Sequence, residues 1–174
     1  WPFAMHLQTG SQAVHRWETD GGGGLLAEGV LGGITGFGAD LLIIDDPVKD
    51  RREADSAFMR DLTWSWYQDV ARTRLHPNAV QLIAGSRWHE DDLVGRLLNS
   101  EDASGWELLR LPALAEEGDP LGRPLGAPLW PERYSLERLP SVAKGQISPR
   151  SWAALYQQRP APEEGSLFKG DQIK

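Results

Sequence analysis

The sequence predicts an α/β fold, a mainly parallel sheet with flanking helices, and three observations carry that expectation. Strand-like and helix-like segments alternate through the first two thirds of the chain, the order expected when crossover helices join parallel strands. Leu41-Leu42-Ile43-Ile44 is an unbroken β-rich apolar run, the pattern of a strand covered on both faces. The 174 residues are 40% hydrophobic, enough for a sizeable core without disulfide staples.

Residues 1–24 mix polar and aromatic side chains and close on Gly21 to Gly24, a stretch too flexible for a strand interior. Leu25-Leu26-Ala27 and Val30 read as a short strand, Gly32 to Gly38 as a turn-rich connector, and Leu41 to Ile44 as a buried strand ended by Pro47. From Arg52 to about Leu75 a helix is expected, because Phe58, Leu62, Trp66 and Val70 recur every fourth residue. Pro77 and Asn78 break it, Val80 to Ala84 form the next buried strand, and Glu90 to Leu98 a helix whose acidic first turn suits the helix dipole. Trp106 to Leu111 reads as a further strand closed by Pro112. Helical or strand periodicity also assigns Trp64, Trp66, Trp106 and Trp152 to the core.

Beyond Pro112 the composition changes. Pro120, Pro124, Pro128 and Pro131 alternate with Gly118, Gly122 and Gly126, as in an extended connection. Short helices are expected at Leu136–Lys144 and Pro149–Gln157, and Pro160, Pro162 and Gly165 mark a linker. The expected organisation is a core at 1–112, a Pro/Gly-rich connection with short helices at 113–159, and a linker at 160–174.

Cys is absent, which excludes disulfide frameworks and thiolate metal sites. No apolar run approaches the roughly 18 residues of a membrane span, and no membrane partner is expected. The net charge of −7 argues against a surface built mainly to neutralise nucleic-acid phosphates. Trp1 in place of Met, and an ending at Gln172-Ile173-Lys174, read as a piece of a longer protein.

The residues that point to chemistry are Asp45 and Asp46. A buried parallel strand delivers its last residues to the carboxyl edge of the sheet, where open α/β folds place ligands. Adjacent carboxylates there point in different directions, so one can reach a Mg²⁺ ion while the other orients water. Asp46-Pro47 also reads as a plain turn. The next strand ends in Gly85-Ser86-Arg87-Trp88-His89, and in a parallel sheet Ser86 and Arg87 fall near the carboxylates, a hydroxyl and a guanidinium suited to sensing a γ-phosphate. Arg87 reads equally as an ion-pair partner of Glu90 or Asp91, and Ser86 or His89 as a helix cap. His89-Glu90-Asp91-Asp92 lacks the second His of a zinc-protease helix.

Four strings now stand in order: Gly32-Gly33-Ile34-Thr35-Gly36-Phe37-Gly38-Ala39-Asp40-Leu41-Leu42-Ile43-Ile44-Asp45-Asp46-Pro47, Arg87-Trp88-His89-Glu90-Asp91-Asp92-Leu93, Trp130-Pro131-Glu132-Arg133-Tyr134, and Leu155-Tyr156-Gln157-Gln158-Arg159-Pro160. Together they resemble the large subunit of tailed-phage terminases. The resemblance implies an additional-strand P-loop ATPase fold, with ATP and Mg²⁺ as cofactors, in a motor that packages double-stranded DNA into procapsids. It implies the portal protein and the terminase small subunit as partners, a homo-oligomeric ring, and the cytoplasm of a bacterial host as location. On it, Asp45 corresponds to the metal-linked Walker B carboxylate, Asp46 to the catalytic carboxylate, and Ser86-Arg87 to the coupling motif.

The chain departs from that pattern in two respects. Asp-Asp stands where Asp-Glu is commoner, so either the water sits closer to the strand tip or the base is not Asp46. No G-x-x-x-x-G-K-[ST] loop occurs; the lysines are Lys49, Lys144, Lys169 and Lys174, and none follows such a glycine. The resemblance puts that loop upstream of Trp1 and an endonuclease domain downstream of Gly165-Ser166-Leu167-Phe168, so half of one site is expected here. A non-catalytic prophage remnant and a two-metal nuclease built on Asp45 and Asp46 are the alternatives.

Overall fold

The computed structural model describes residues 6–34, 36–139 and 147–161. The chain is mixed α/β and divides into two compact units, Trp1–Leu42 with Ser65–Gln81, and Ile43–Trp64 with Leu82–Lys174. Strands β1 (Leu7–Ala13), β2 (Arg16–Thr19) and β3 (Gly24–Leu26) form an antiparallel sheet in that order. Strands β4 (Ala39–Asp45) and β5 (Leu75–Ala84) form a two-stranded parallel sheet. The expected mainly parallel sheet is thus corrected: among the described residues one pair of strands is parallel and two pairs are antiparallel. The hairpin of β1 and β2 was masked in the sequence by its polar composition, since strands that bury little carry no apolar run. The glycines after it form the β2–β3 turn, closed by the Thr19 N–H on the Gly23 carbonyl at 2.7 Å and the Gly23 N–H on Thr19 Oγ1 at 3.1 Å.

Between β4 and β5 the chain is helical in pieces: α1 (Arg51–Asp55), α2 (Ala57–Trp66), a π-helical turn Tyr67–Ala71 and a 3₁₀ turn Arg72–Arg74. Asp50 starts α1 by accepting the Glu53 N–H at 3.0 Å. The buried stripe differs from the expected one by a residue. Thr63, Tyr67 and Ala71 are buried, whereas Phe58 is 72% exposed and Leu62 36%. The Tyr67 hydroxyl donates to Gln81 Oε1 on β5 at 2.9 Å, so the stripe includes a hydroxyl that finds its partner. Pro77 and Asn78 lie within β5, not at a break; Asn78 takes the left-handed conformation at φ 67°.

Leu41 to Ile44 is a strand but not a fully buried one, for Ile44 is 4% exposed and Leu41 and Ile43 are 55% and 56%. Trp106 to Leu111 is not a strand; it follows a 3₁₀ turn at Ala103–Gly105 with Leu108 and Leu109 exposed. Trp64, Trp66, Trp106 and Trp152 are each half-buried, short of the core expected for them, and Trp152 stacks on Tyr156 with centroids 4.9 Å apart. The helix expected at Leu136–Lys144 lies largely outside the described residues, as does the linker beyond residue 161. Helix α4 (Pro149–Ser151) runs into a π-helical turn Trp152–Tyr156. Among the described residues no helix is long and apolar enough to cross a membrane.

Helix α3 (Leu93–Leu98) begins later than expected: Asp92 is its N-cap, accepting the Gly95 N–H at 2.8 Å, and Leu93 and Leu97 bury its inner face. Gly95 is buried here, and a Cβ on it would collide with the Glu90 carbonyl oxygen and lie 3.1 Å from Arg87 Nη2. The turn before α3 therefore folds over a position with no room for a side chain. Gly95→Ala is expected to lower stability by about 2 kcal/mol, the cost of overpacking against backbone, as read from urea denaturation.

Candidate functional site

Strand β4 ends at Asp45, and the ladder runs one step further, the Asp46 N–H reaching the Ala84 carbonyl of β5 at 3.0 Å. Asp46 itself takes the left-handed conformation, φ 41°, a region that Asp tolerates better than most residues. Pro47 follows and offers no N–H to continue pairing. The turned backbone directs the Asp46 carboxylate back to the neighbouring strand tip, where Oδ1 accepts the Ser86 N–H at 3.0 Å. Asp45 points elsewhere: it is exposed, and its carboxylate makes no hydrogen bond to another described residue.

Of the residues expected at the two strand tips, the structure brings Asp46 and Ser86 together and leaves Asp45 exposed beside them. Ser86 meets Asp46 through its backbone N–H, and the residue is exposed.

Arg87 requires a correction. Its Nε donates to Asp92 at 2.8 Å (Oδ2) and 3.0 Å (Oδ1), with side chains only 16% and 6% exposed. The partner is neither the carboxylate pair nor Glu90 or Asp91. The same Asp92 caps α3, so Arg87 secures a helix start, and its Nε is not available to a ligand at the strand tips. The cap roles expected for Ser86 and His89 fall to Asp92. Trp88 is engaged by Arg51, which lies over its ring at 5.2 Å and donates through Nη1 to its carbonyl at 2.7 Å.

A further cluster fastens the same segment. Asp91 accepts from Arg96 Nε at 2.8 Å, Arg96 Nη2 at 2.7 Å and Arg60 Nε at 3.1 Å; Arg96 Nη2 also reaches Asp61 at 2.6 Å. Arg60 Nη1 donates to the Ala54 carbonyl at 2.7 Å. The two cations and two anions balance, which limits the cost of their partial burial. The hydrogen bonds from Arg96 hold Asp91 below the usual carboxylate range, and Asp91 in turn holds Arg96 above its ordinary value. Burial, aided by the Arg60 charge, pushes His89 down, in keeping with its neutral role: Nδ1 accepts the Asp91 N–H at 3.0 Å. The sequence does not announce this cluster, because pairings 31 and 35 residues apart leave no local spacing.

A cavity of 210 Å³ lies at Arg110, Glu116 and Asp119, lined also by Leu108 and Pro112. Three of its charged groups are engaged, Glu116 with Arg110 and Arg159 at 2.8 and 2.7 Å and Asp119 with Arg123 at 2.6 Å, while Glu117, also on the lining, is exposed. Among the described residues no group of three or more His, Asp or Glu is placed to hold a metal ion. The chain matches no family model, and no curated protein matches it.

Arg87→Ala would leave Asp92 buried without its cation and is expected to lower stability by about 3 kcal/mol in urea denaturation, whether or not nucleotide is present. The acid side has a defined sign. Asp91 ionises more readily folded than unfolded, so its contribution is complete above about pH 4 and is lost as pH falls through its folded value. The urea midpoint should fall below about pH 4, and less steeply in Asp91→Asn than in the parent chain.

Proposed function

We propose that the chain is the Mg²⁺- and water-handling part of an ATP-driven motor of the terminase large-subunit kind, which packages double-stranded viral DNA into procapsids. The observation that carries this reading is the meeting of two parallel strand tips, with Asp45 free at the edge and Asp46 bonded to Ser86. It supports the sequence resemblance in the one region where an ATPase needs a carboxylate exposed at the carboxyl edge of a sheet. The finer fold reading, an additional-strand P-loop ATPase, rests on the same resemblance.

The donor set fits a magnesium ion. Mg²⁺ binds proteins through one or two carboxylates and takes its other ligands from water and phosphate oxygens, so a single unengaged Asp45 suffices. When bound, the ion would neutralise phosphate charge. The chain's own residues divide the rest: Asp45 would hold the ion, and the Asp46 to Ser86 bond keeps the tips together. Phosphate binding by a glycine-rich loop with its Lys, and DNA cleavage by an endonuclease domain, belong in this reading to other parts of the protein. Double-stranded DNA, the portal protein, the small subunit and further copies in a ring are its partners, in the cytoplasm of a bacterial host.

The purified chain is expected to bind Mn²⁺, used as a reporter for Mg²⁺, at least about tenfold more tightly than Asp45→Asn, while neither turning over ATP nor cutting DNA. ATP turnover by the chain alone, abolished in Asp45→Ala, would overturn the division of the site. The coding sequence upstream of Trp1 tests the motor itself. A G-x-x-x-x-G-K-[ST] loop is expected there, and a stop codon or unrelated sequence would favour a non-catalytic remnant.

A further inference from the structure

Resting on the reading of Asp45 as the cation carboxylate, we infer that Asp46 is a positioning residue: its carboxylate clamps the β5 tip through the Ser86 N–H and leaves Asp45 as the only carboxylate of the pair that meets the ion. Three observations converge on this. Asp46 has a positive φ of 41°, which turns its side chain away from the direction that β4 would give it. Oδ1 is then used on Ser86 N–H at 3.0 Å. Gly85 eases the approach: a Cβ there would stand 3.3 Å from Asp46 Oδ1, close enough that the carboxylate would have to give by a few tenths of an ångström, and in ordinary contact with Pro47 Cδ at 3.4 Å.

A water-activating base needs a lone pair aimed at water and a negative charge to receive the proton. A clamp needs only an acceptor oxygen at the right place. Asn supplies that oxygen and tolerates the left-handed conformation, but it cannot take a proton. Gly keeps the conformation and supplies no acceptor. The two substitutions therefore separate the backbone, the hydrogen bond and the charge.

The experiment compares Asp46→Asn, Asp46→Gly and Asp45→Asn in the full chain by amide hydrogen exchange at Ser86 and by Mn²⁺ binding. Asp46→Asn is expected to keep Ser86 protected within about threefold and Mn²⁺ affinity within about twofold. Asp46→Gly should speed Ser86 exchange about tenfold or more, as loss of one hydrogen bond to a charged group implies. Asp45→Asn should lose Mn²⁺ affinity with Ser86 protection unchanged. If Asp46→Asn weakens Mn²⁺ binding as much as Asp45→Asn does, Asp46 is a ligand and the inference is wrong. Unchanged Ser86 exchange in Asp46→Gly also overturns it. Absence of Mn²⁺ binding in every form would sink the motor reading alone, since the exchange measurement decides the clamp without a metal.

Discussion

The parallel pairing of β4 with β5 is the constraint on which the candidate site depends. Parallel neighbours end at the same edge, so whatever follows each strand is brought together without any long-range search for contacts. Here the pairing is carried one residue past β4 by the Asp46 N–H on the Ala84 carbonyl. That extra rung fixes where Asp46 stands relative to Ser86, and Pro47 stops it from becoming a second one. A shift of register by one residue would exchange the faces of every side chain on the strand and with them the directions of Asp45 and Asp46.

The segment after β5 is held by a different kind of interaction. From Arg87 to Asp92 it has no regular secondary structure, so its backbone is not held by a ladder of its own. Side chains hold it instead: Arg51 on the Trp88 carbonyl and ring, Arg60 and Arg96 on Asp91, and Arg87 on Asp92. Guanidinium groups suit this work because each is planar, always charged and able to serve several acceptors at once. Arg60 uses the property fully, spanning a carboxylate and a helix carbonyl. The result is a loop in which Arg87, Asp91 and Asp92 are paired, and which joins the strand tip to α1, α2 and α3.

What was legible in the sequence was the local chemistry of regular elements. The run Leu41 to Ile44 marked β4, Pro47 marked its end, and the apolar residues from Val80 marked the later half of β5. Burial was less legible. An unbroken apolar run states that either face can be covered, not that both are, and Leu41 and Ile43 remain more than half exposed. The helix between the strands misled in a similar way. Phe58, Leu62, Trp66 and Val70 form the more hydrophobic stripe, but it is the adjacent stripe of Thr63, Tyr67 and Ala71 that faces inward, with the Tyr67 hydroxyl finding its partner on Gln81. Arg87 was placed near the right tip and given the wrong partner, because a cap such as Asp92 is recognised only once the helix start is known.

The Asp-Asp ending has its own physical sense. A Glu at the second position carries its carboxylate one methylene further out and gains little by a left-handed turn, since Asp and Asn, not Glu, are the residues enriched in that region. An Asp at φ 41° does the opposite: its short side chain folds back on the neighbouring strand within hydrogen-bond reach. Side-chain length and backbone conformation therefore act together at Asp46, and Gly85 is the third member of that set because it leaves the carboxylate room. A longer acid at position 46 would have to abandon either the positive φ or the Ser86 bond. The short acid thus favours contact between the strands over reach into solvent, while Asp45, with no such tie, is left facing the water.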